Sequence, residues 1–132
     1  MNDPMHLPPE YDHTVFHTDT PSSEWPQAFA IITAHNPHGR NLPADANETL
    51  DQQLRSEMGR RGLPFFRMTG GDEGFVHSEP GWAITMDFHE AVEMGRAFHQ
   101  LAIWWIEDGV IFLVECHNSE RRELGLLKDR LR

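Results

Sequence analysis

The sequence predicts an α+β fold of the ferredoxin-like, split-βαβ type, a two-layer sandwich with two main helices on one face of a mostly antiparallel sheet. First, stretches with strand and helix periodicity follow one another as strand, helix, strand, strand, helix, strand. Second, 132 residues suffice for one domain with a single two-layer core. Third, short connections and right-handed crossovers favour helices on one side of the sheet. A different strand order built from the same elements is the alternative.

The chain is expected to divide into an N-terminal arm and one domain. Prolines punctuate the arm, residues 1–24, and YDHTVFHT within it has the composition of one edge strand. A single α+β domain then occupies residues 25–132. It opens with a buried strand at 27–35, where large apolar residues alternate with alanines, so one face of the sheet can lie under a closely packed helix.

Two helices are predicted, at residues 46–61 and 88–99. In each, an Asp stands at the start and a Glu follows three residues later, which is the spacing of a capping box. The two pairs are Asp45 with Glu48 and Asp87 with Glu90. Apolar residues then recur at helical spacing and form one buried stripe per helix. The stripes consist of Ala46, Leu50, Leu54 and Met58 in the first helix, and of Ala91, Met94, Gly95 and Phe98 in the second.

The remaining apolar stretches predict further strands and a closing helix. The strands span residues 63–69, 81–86, 101–107 and 110–116. Asp108 and Gly109 separate the last two, which is a strong signal for a two-residue hairpin turn. TGGDEG is also interpreted as a hairpin turn, because no helix follows its glycines. A short basic, amphipathic helix over about 119–131 is predicted from Leu124, Leu127 and Leu131.

The charge distribution argues against a nucleic-acid partner. Residues 1–120 carry 19 acidic and 6 basic residues, a net charge of −13, whereas residues 121–132 carry five basic and two acidic, a net charge of +3. A body this acidic repels phosphate backbones. No stretch approaches the ~20 apolar residues that span a bilayer. The first residues, MNDPMHLPPEYDH, lack the basic and apolar regions of a signal peptide, which predicts a cytoplasmic protein without a membrane partner.

The predicted topology brings three connections together at one end of the sheet: residues 34–46, 70–80 and 99–101. The N-terminus of the first helix lies at the same rim, and its free N–H groups and dipole favour a carboxylate or phosphate. The expected ligand is therefore a small polar or anionic molecule. The candidate residues are Arg40 for the anion, Asn36, Asn47 and Gln100 for directional hydrogen bonds, and Glu79 as a catalytic base. Each also has a plainer explanation, because polar residues at element ends usually satisfy local backbone groups.

The rim histidines are candidate metal ligands. Imidazole suits zinc or another transition ion, and four histidines are expected near the rim: His35, His38, His77 and His99. However, no standard zinc spacing is present, and nine histidines in one small chain produce some clustering by chance. The sequence therefore predicts no metal site. It identifies no cofactor either, because it contains neither a phosphate-binding loop nor a dinucleotide fingerprint.

Four stretches of the sequence resemble the bacterial domain of unknown function 3293. They are FAIITAHNPHGRNLPADANETLDQQL, GG, SEPGWAI and EAVEMGRAFHQLAIWW, and the resemblance covers residues 25 to about 115. The family has no assigned activity to carry over. Similar sequences often have an aromatic residue in place of His35 and glycine in place of His99, which weakens both as ligands. The site residues that the resemblance favours are Thr33, Asn36, Asn47, Glu79 and Gln100.

Two functions of different classes are open on sequence alone. The first is a ligand-binding domain or small enzyme with its site at the rim, with or without turnover. The second is an interaction module without chemistry, which uses the C-terminal hairpin and basic helix to dimerise or dock. Trp104 and Trp105 point to opposite faces of their strand, so one of them is expected to lie off the core as an exposed apolar patch. A homodimer is expected on that ground.

Overall fold

The computed structural model describes residues 7–132. The helices are α1 (Ala44–Arg60) and α2 (Phe88–Ala97). The strands are β1 (Val15–His17), β2 (Ala28–Ile32), β3 (Phe65–Arg67), β4 (Thr69–Gly71), β5 (Ser78–Glu79), β6 (Trp82–Ile84), β7 (Ala102–Glu107), β8 (Val110–Glu115) and β9 (Arg121–Leu126). Short 3-10 helices span Pro9–His13, Ser22–Glu24, Pro37–Gly39 and Leu127–Arg130. The start of the predicted arm, and with it part of the argument for a cytoplasmic location, lies outside the described residues.

A six-stranded sheet forms the middle of the fold. Its strand order is β3-β6-β2-β7-β8-β9, and every neighbouring pair is antiparallel. Both helices pack on the same face of this sheet, where Leu54 and Met58 of α1 and Ala91 and Met94 of α2 share one core with Ile32 of β2. The α+β class is therefore confirmed, and both helices lie on one face, as predicted.

The opposite face of the large sheet is covered as well, so the two-layer expectation is wrong. Phe29 and Ile31 of β2 and Trp104 of β7 pack there against Phe16 of β1 and Leu127. β1 belongs to a second sheet, of order β1-β4-β5, which together with the N-terminal segment forms a third layer. The physical reason lies in β2, whose alternating positions are apolar on both faces and require burial on both.

The C-terminal helix predicted over about 119–131 is wrong. Arg121–Leu126 forms β9, antiparallel to β8, and only Leu127–Arg130 is helical, as a short 3-10 turn. A turn with Ser119 at φ 64° returns the chain along the edge of β8, where its backbone groups gain ladder hydrogen bonds. Gly125 has a φ of 100°, which is outside the range of a right-handed helix. The spacing of the leucines was therefore misleading here.

The buried stripe of α1 is rotated relative to the predicted one. The residues that it buries are Asn47, Asp51, Leu54 and Met58. Ala46 and Leu50, which were expected in the stripe, are only partly buried. The first half of the true stripe is polar, so α1 brings an amide and a carboxylate against the rest of the fold. Polar groups in such positions need hydrogen-bond partners.

Two of the local signals are confirmed and one is wrong. Asp87 caps α2 by accepting a hydrogen bond from the backbone N–H of His89. Asp108 and Gly109 join β7 to β8 with φ values of 51° and 81°, as a two-residue hairpin turn requires. The capping box predicted for α1 is wrong, because the chain enters the helix directly after Pro43. Asp45 therefore lies inside the first turn, and the helix has no side-chain cap.

Asp51 ties α1 to the edge of the large sheet. Its two carboxylate oxygens each accept a hydrogen bond of 2.9 Å from the Arg67 guanidinium. One of them also accepts a hydrogen bond of 3.0 Å from the Nε1–H of Trp82. The guanidinium carbon lies 3.6 Å from the centroid of the Trp82 ring, so the cation also stacks on the indole. We call Asp51, Arg67 and Trp82 the clamp.

Both tryptophans of the β7–β8 hairpin are buried, which removes the apolar patch expected there. Trp104 is 6% exposed and Trp105 is 5% exposed, because each face of the large sheet has its own cover. The expectation of a homodimer thereby loses the feature on which it rested. Across residues 7–132, no helix combines the length and apolarity that crossing a membrane would require.

Candidate functional site

The three connections predicted to meet at one end of the sheet are joined by hydrogen bonds around Asn36. This residue has a φ of 51°, a left-handed conformation that asparagine tolerates. Its backbone N–H donates to Oδ1 of Asn47 at 2.8 Å, and its own Oδ1 accepts from Nδ2 of Asn47 at 2.9 Å and from the N–H of Leu42 at 3.0 Å. Its Nδ2 donates to Oε1 of Glu79 at 2.8 Å. We call Asn36, Asn47 and Glu79 the rim network.

Asn47 holds the loop of Asn36 in place. It lies in the first turn of α1, is 7% exposed and also donates to the carbonyl of Leu42 at 3.4 Å. Both ends of its amide are thus occupied by Asn36 and Leu42. Its amide therefore positions Asn36, which in turn binds Glu79.

Glu79 is only partly satisfied. β5 places it opposite Gly70, and Asn36 binds one of its carboxylate oxygens. Within residues 7–132, no hydrogen bond or ion pair reaches the other oxygen. Burial raises the pKa of Glu79 above its ordinary value of 4.5, and the hydrogen bond from Asn36 opposes that rise. A carboxylate withdrawn from water without a cation is unfavourable for the fold alone, and such groups are concentrated at functional sites.

A cavity of about 980 Å³ opens beside Glu79. This volume is at the upper end of the range of small-molecule sites, roughly 300–1,000 Å³. The cavity lies between the large sheet and the third layer, on the face opposite the helices. Its wall is apolar at Ile31, Met68 and Trp104, and polar at Thr33, Asn36, Glu79 and Gln100. It adjoins the rim network and not the N-terminus of α1, which contributes no residue to this wall within the described chain.

Two aromatic residues line the apolar side of the cavity. The ring centroids of Tyr11 and Trp104 lie 5.9 Å apart, with the planes tilted by 31°. The Nε1–H of Trp104 is buried and has no hydrogen-bond partner among residues 7–132. Burial, and to a lesser extent the charge of Glu79, raises the pKa of Tyr11 to about 12, so its hydroxyl stays protonated. The Nε1–H of Trp105, on the helix-covered face of the sheet, is also buried without a partner among the described residues.

Gln100 and Thr33 differ in whether they have a hydrogen-bonding atom without a partner. Nε2 of Gln100 donates to the carbonyls of His35 at 3.1 Å and Phe98 at 3.3 Å. Its Oε1 has no partner among the described residues. Oγ1 of Thr33 donates to the carbonyl of Pro80 at 2.8 Å and accepts from the N–H of His35 at 3.1 Å. Gln100, which lines the cavity, therefore has an acceptor without a partner among the described residues, whereas the hydroxyl of Thr33 is occupied by backbone groups.

Arg40 and the rim histidines differ in their position relative to the cavity. Arg40 is exposed and is absent from the cavity wall. His35, His38 and His77 line the cavity, and the ring of His99 stacks on that of His38 with centroids 4.7 Å apart. Burial lowers the pKa of His35 below its ordinary value. Between residues 7 and 132, no group of three or more His, Cys, Asp or Glu side chains could hold a metal ion.

Sequence reasoning missed Tyr11, and it expected one of Trp104 and Trp105 to lie exposed off the core. The edge-strand signal in the arm did point to the strand found at Val15–His17. No local pattern shows, however, that the arm folds back over the rim. The available signal was in β2, where apolar residues on both faces demand a cover on the side away from the helices. That signal predicts a cover but does not say which segment supplies it.

Comparison with known proteins identifies a family and little else. A family model described as "Protein of unknown function (DUF3293)" matches residues 32–103. No curated protein and no solved structure matches the chain. The matched span contains the whole rim network together with Thr33 and Gln100. It ends one residue before Trp104 and leaves Tyr11 outside, so it contains the polar wall of the cavity but not the aromatic pair.

Proposed function

The chain belongs to the DUF3293 family, a family of unknown function, and we propose that its cavity binds a small polar molecule with Glu79 as the main hydrogen-bond acceptor. One observation carries the proposal. The Glu79 carboxylate is partly buried beside an open cavity, is held through one oxygen by Asn36, and has no cationic partner among residues 7–132. Its other oxygen is available to a hydrogen-bond donor on the ligand.

The rim network supports binding because it orients Glu79 before any ligand arrives. Asn47 fixes both the backbone and the side chain of Asn36, and Asn36 in turn holds Oε1 of Glu79. Polar groups that are already fixed lose little conformational entropy when they bind. The alternative is that Glu79 and the amides only seal the end of the sheet. That role would need no charge, since a glutamine oxygen accepts the same hydrogen bond from Asn36.

We also propose that the core is of the ferredoxin-like, split-βαβ type. The order β3-β6-β2-β7, with α1 after β2 and α2 after β6, supports this assignment. On this view β8, β9 and the small sheet are additions to a four-stranded core. β8 and β9 extend the large sheet, whereas the small sheet contributes to the third layer that encloses the cavity.

A thermal-shift screen tests the proposed binding. The wild-type protein, Glu79→Gln and Glu107→Gln are compared against polyols, sugars, amino acids, amines and nucleosides. Glu107→Gln is the matched control, because Glu107 is exposed on β7 and absent from the cavity wall. We expect at least one compound to raise the Tm of the wild type and of Glu107→Gln. Glu79→Gln should bind it roughly tenfold or more weakly, because a charge-assisted hydrogen bond is lost.

Two results would contradict the proposal. One is a panel in which no compound stabilises the wild-type protein. The other is a compound that stabilises Glu79→Gln as much as the wild type, because Glu79 would then have no part in binding.

A further inference from the structure

The charge around the cavity is one-sided. Glu10, Asp72 and Glu79 belong to its wall, whereas no Arg or Lys among residues 7–132 does. Burial lowers the pKa of His35, one of the histidines of the wall, which favours its neutral form. Arg40, which was expected to hold an anion, lies outside. A carboxylate or phosphate would therefore meet repulsion here, and a cation would meet attraction.

The aromatic side of the wall also suits a cation. The rings of Tyr11 and Trp104 lie 5.9 Å apart at an angle of 31°, and Phe16 meets Trp104 edge-on at 5.4 Å. Phe16 thereby fixes the indole from within the core, since it is fully buried. The face of an aromatic ring attracts an ammonium group within about 6 Å of its centroid. The cavity thus combines carboxylates with aromatic rings and lacks positive side chains.

The free hydrogen-bonding groups restrict the ligand further. Glu79 and Gln100 each have an oxygen without a partner among the described residues, and both are tied to the adjacent residues Asn36 and His35. Both residues line the cavity, and each free oxygen is an acceptor that an ammonium group can use.

We infer that the cavity takes a primary amine. The ammonium group binds Glu79 beside the rings of Tyr11 and Trp104. This inference rests on the proposed function, to which it adds the charge and chemical class of the ligand.

Titration followed by NMR tests the inference on the wild-type protein. The sequence has four tryptophans, and Trp104→Phe identifies the indole N–H signal of Trp104 among them. The probes are aminopropanol and aminohexanol, with propanediol and hexanediol as neutral counterparts of the same length, all at constant ionic strength. We expect an amino alcohol to shift the Trp104 signal saturably and to bind at least tenfold more tightly than its diol. Glu79→Gln should remove that preference, and Glu107→Gln should keep it.

The outcomes separate this inference from the proposed function. If a diol binds as tightly as its amino alcohol, the cationic class is wrong while binding of a polar molecule stands. If neither amino alcohol shifts the Trp104 signal saturably, the inference fails, and the broader thermal-shift panel decides the proposed function by itself. A preference that persists in Glu79→Gln would refute the role of Glu79. The comparison of amine with diol uses only the wild type, so it is valid even if a variant folds poorly.

Discussion

Asp51 and Glu79 are both carboxylates withdrawn from water, and the fold treats them in opposite ways. Asp51, 9% exposed, binds a guanidinium through both oxygens and an indole N–H through one of them. Glu79 has one hydrogen bond from an amide and, among residues 7–132, no cation. In the clamp, both carboxylate oxygens are hydrogen-bonded within the fold. In the rim network, one oxygen of Glu79 has no partner among residues 7–132 and lies beside a cavity.

Helix α1 links the two regions. Its buried stripe places Asn47 in the rim network and Asp51, one turn later, in the clamp. The two regions differ in whether the partners supplied by the chain complete the hydrogen bonds of the carboxylate. The predictions below test this distinction, beginning with the largest expected effect.

Asp51→Ala should cause the largest loss of stability. It leaves Arg67 without its carboxylate and the Trp82 Nε1–H without its acceptor. We expect the free energy of unfolding to fall by about 2–3 kcal/mol. The loss should be smaller than for a fully buried pair, because the Arg67 side chain is 42% exposed and water can reach it. Urea denaturation measures the change. Glu48→Ala, an exposed acid on the same helix, is the control and should change stability by less than about 0.5 kcal/mol.

If Asp51→Ala changed stability no more than Glu48→Ala does, the clamp would not be a stabilising contact. The variant should also retain binding of whichever compound the thermal-shift screen identifies, because Asp51 is absent from the cavity wall.

Asn47→Ala should have an intermediate effect on stability and should also weaken binding. It removes the acceptor of the Asn36 N–H and a donor to the Asn36 side chain. We expect a loss of roughly 1–2 kcal/mol, because buried polar groups of Asn36 are left unpaired. Glu79 would then be held less firmly, so affinity should fall although Asn47 does not contact the ligand. Gln53→Ala, an exposed amide on α1, is the matched control in both measurements. Unchanged affinity with reduced stability would show that the network is structural only.

Glu79→Gln should have the smallest effect on stability, with the opposite sign and a dependence on pH. Burial raises the pKa of Glu79, so the folded protein holds this proton more tightly than the unfolded chain does. Wild-type stability must therefore fall as pH rises from the ordinary value of 4.5 through the raised pKa. Glutamine has no proton to lose. The variant should gain stability relative to the wild type over that window, by up to about 1 kcal/mol at neutral pH.

Denaturation curves between acid and neutral pH measure this gain. Glu107→Gln should show no such trend, because Glu107 is exposed on its strand. A difference in stability between Glu79→Gln and the wild type that did not change with pH would mean that burial does not destabilise the ionised Glu79 carboxylate in the folded protein.

Local patterns in the sequence were sufficient for most of the fold. Helical spacing predicted α1 and α2 to within a few residues at each end, and Asp108-Gly109 predicted the hairpin. Alternation of elements predicted two helices on one face of a sheet. Topology then predicted that Asn36, Asn47, Glu79 and Gln100 would surround one cavity. Asn36, Glu79 and Gln100 line it, whereas Asn47 does not. These features follow from interactions between residues close in sequence or from the order of elements, both of which a single sequence contains.

Other features were decided by contacts between residues far apart in sequence. Leu124, Leu127 and Leu131 have helical spacing, yet Arg121–Leu126 pairs as a strand with the edge of β8. Likewise, the sequence determined that Asn47 and Asp51 lie on α1. Only the packing of α1 against the sheet decided that both face inward, and that Arg67 reaches one of them while no cation among residues 7–132 reaches Glu79. The reason is that hydrogen bonding and burial depend on which groups meet across the fold, and local periodicity carries no information about those partners.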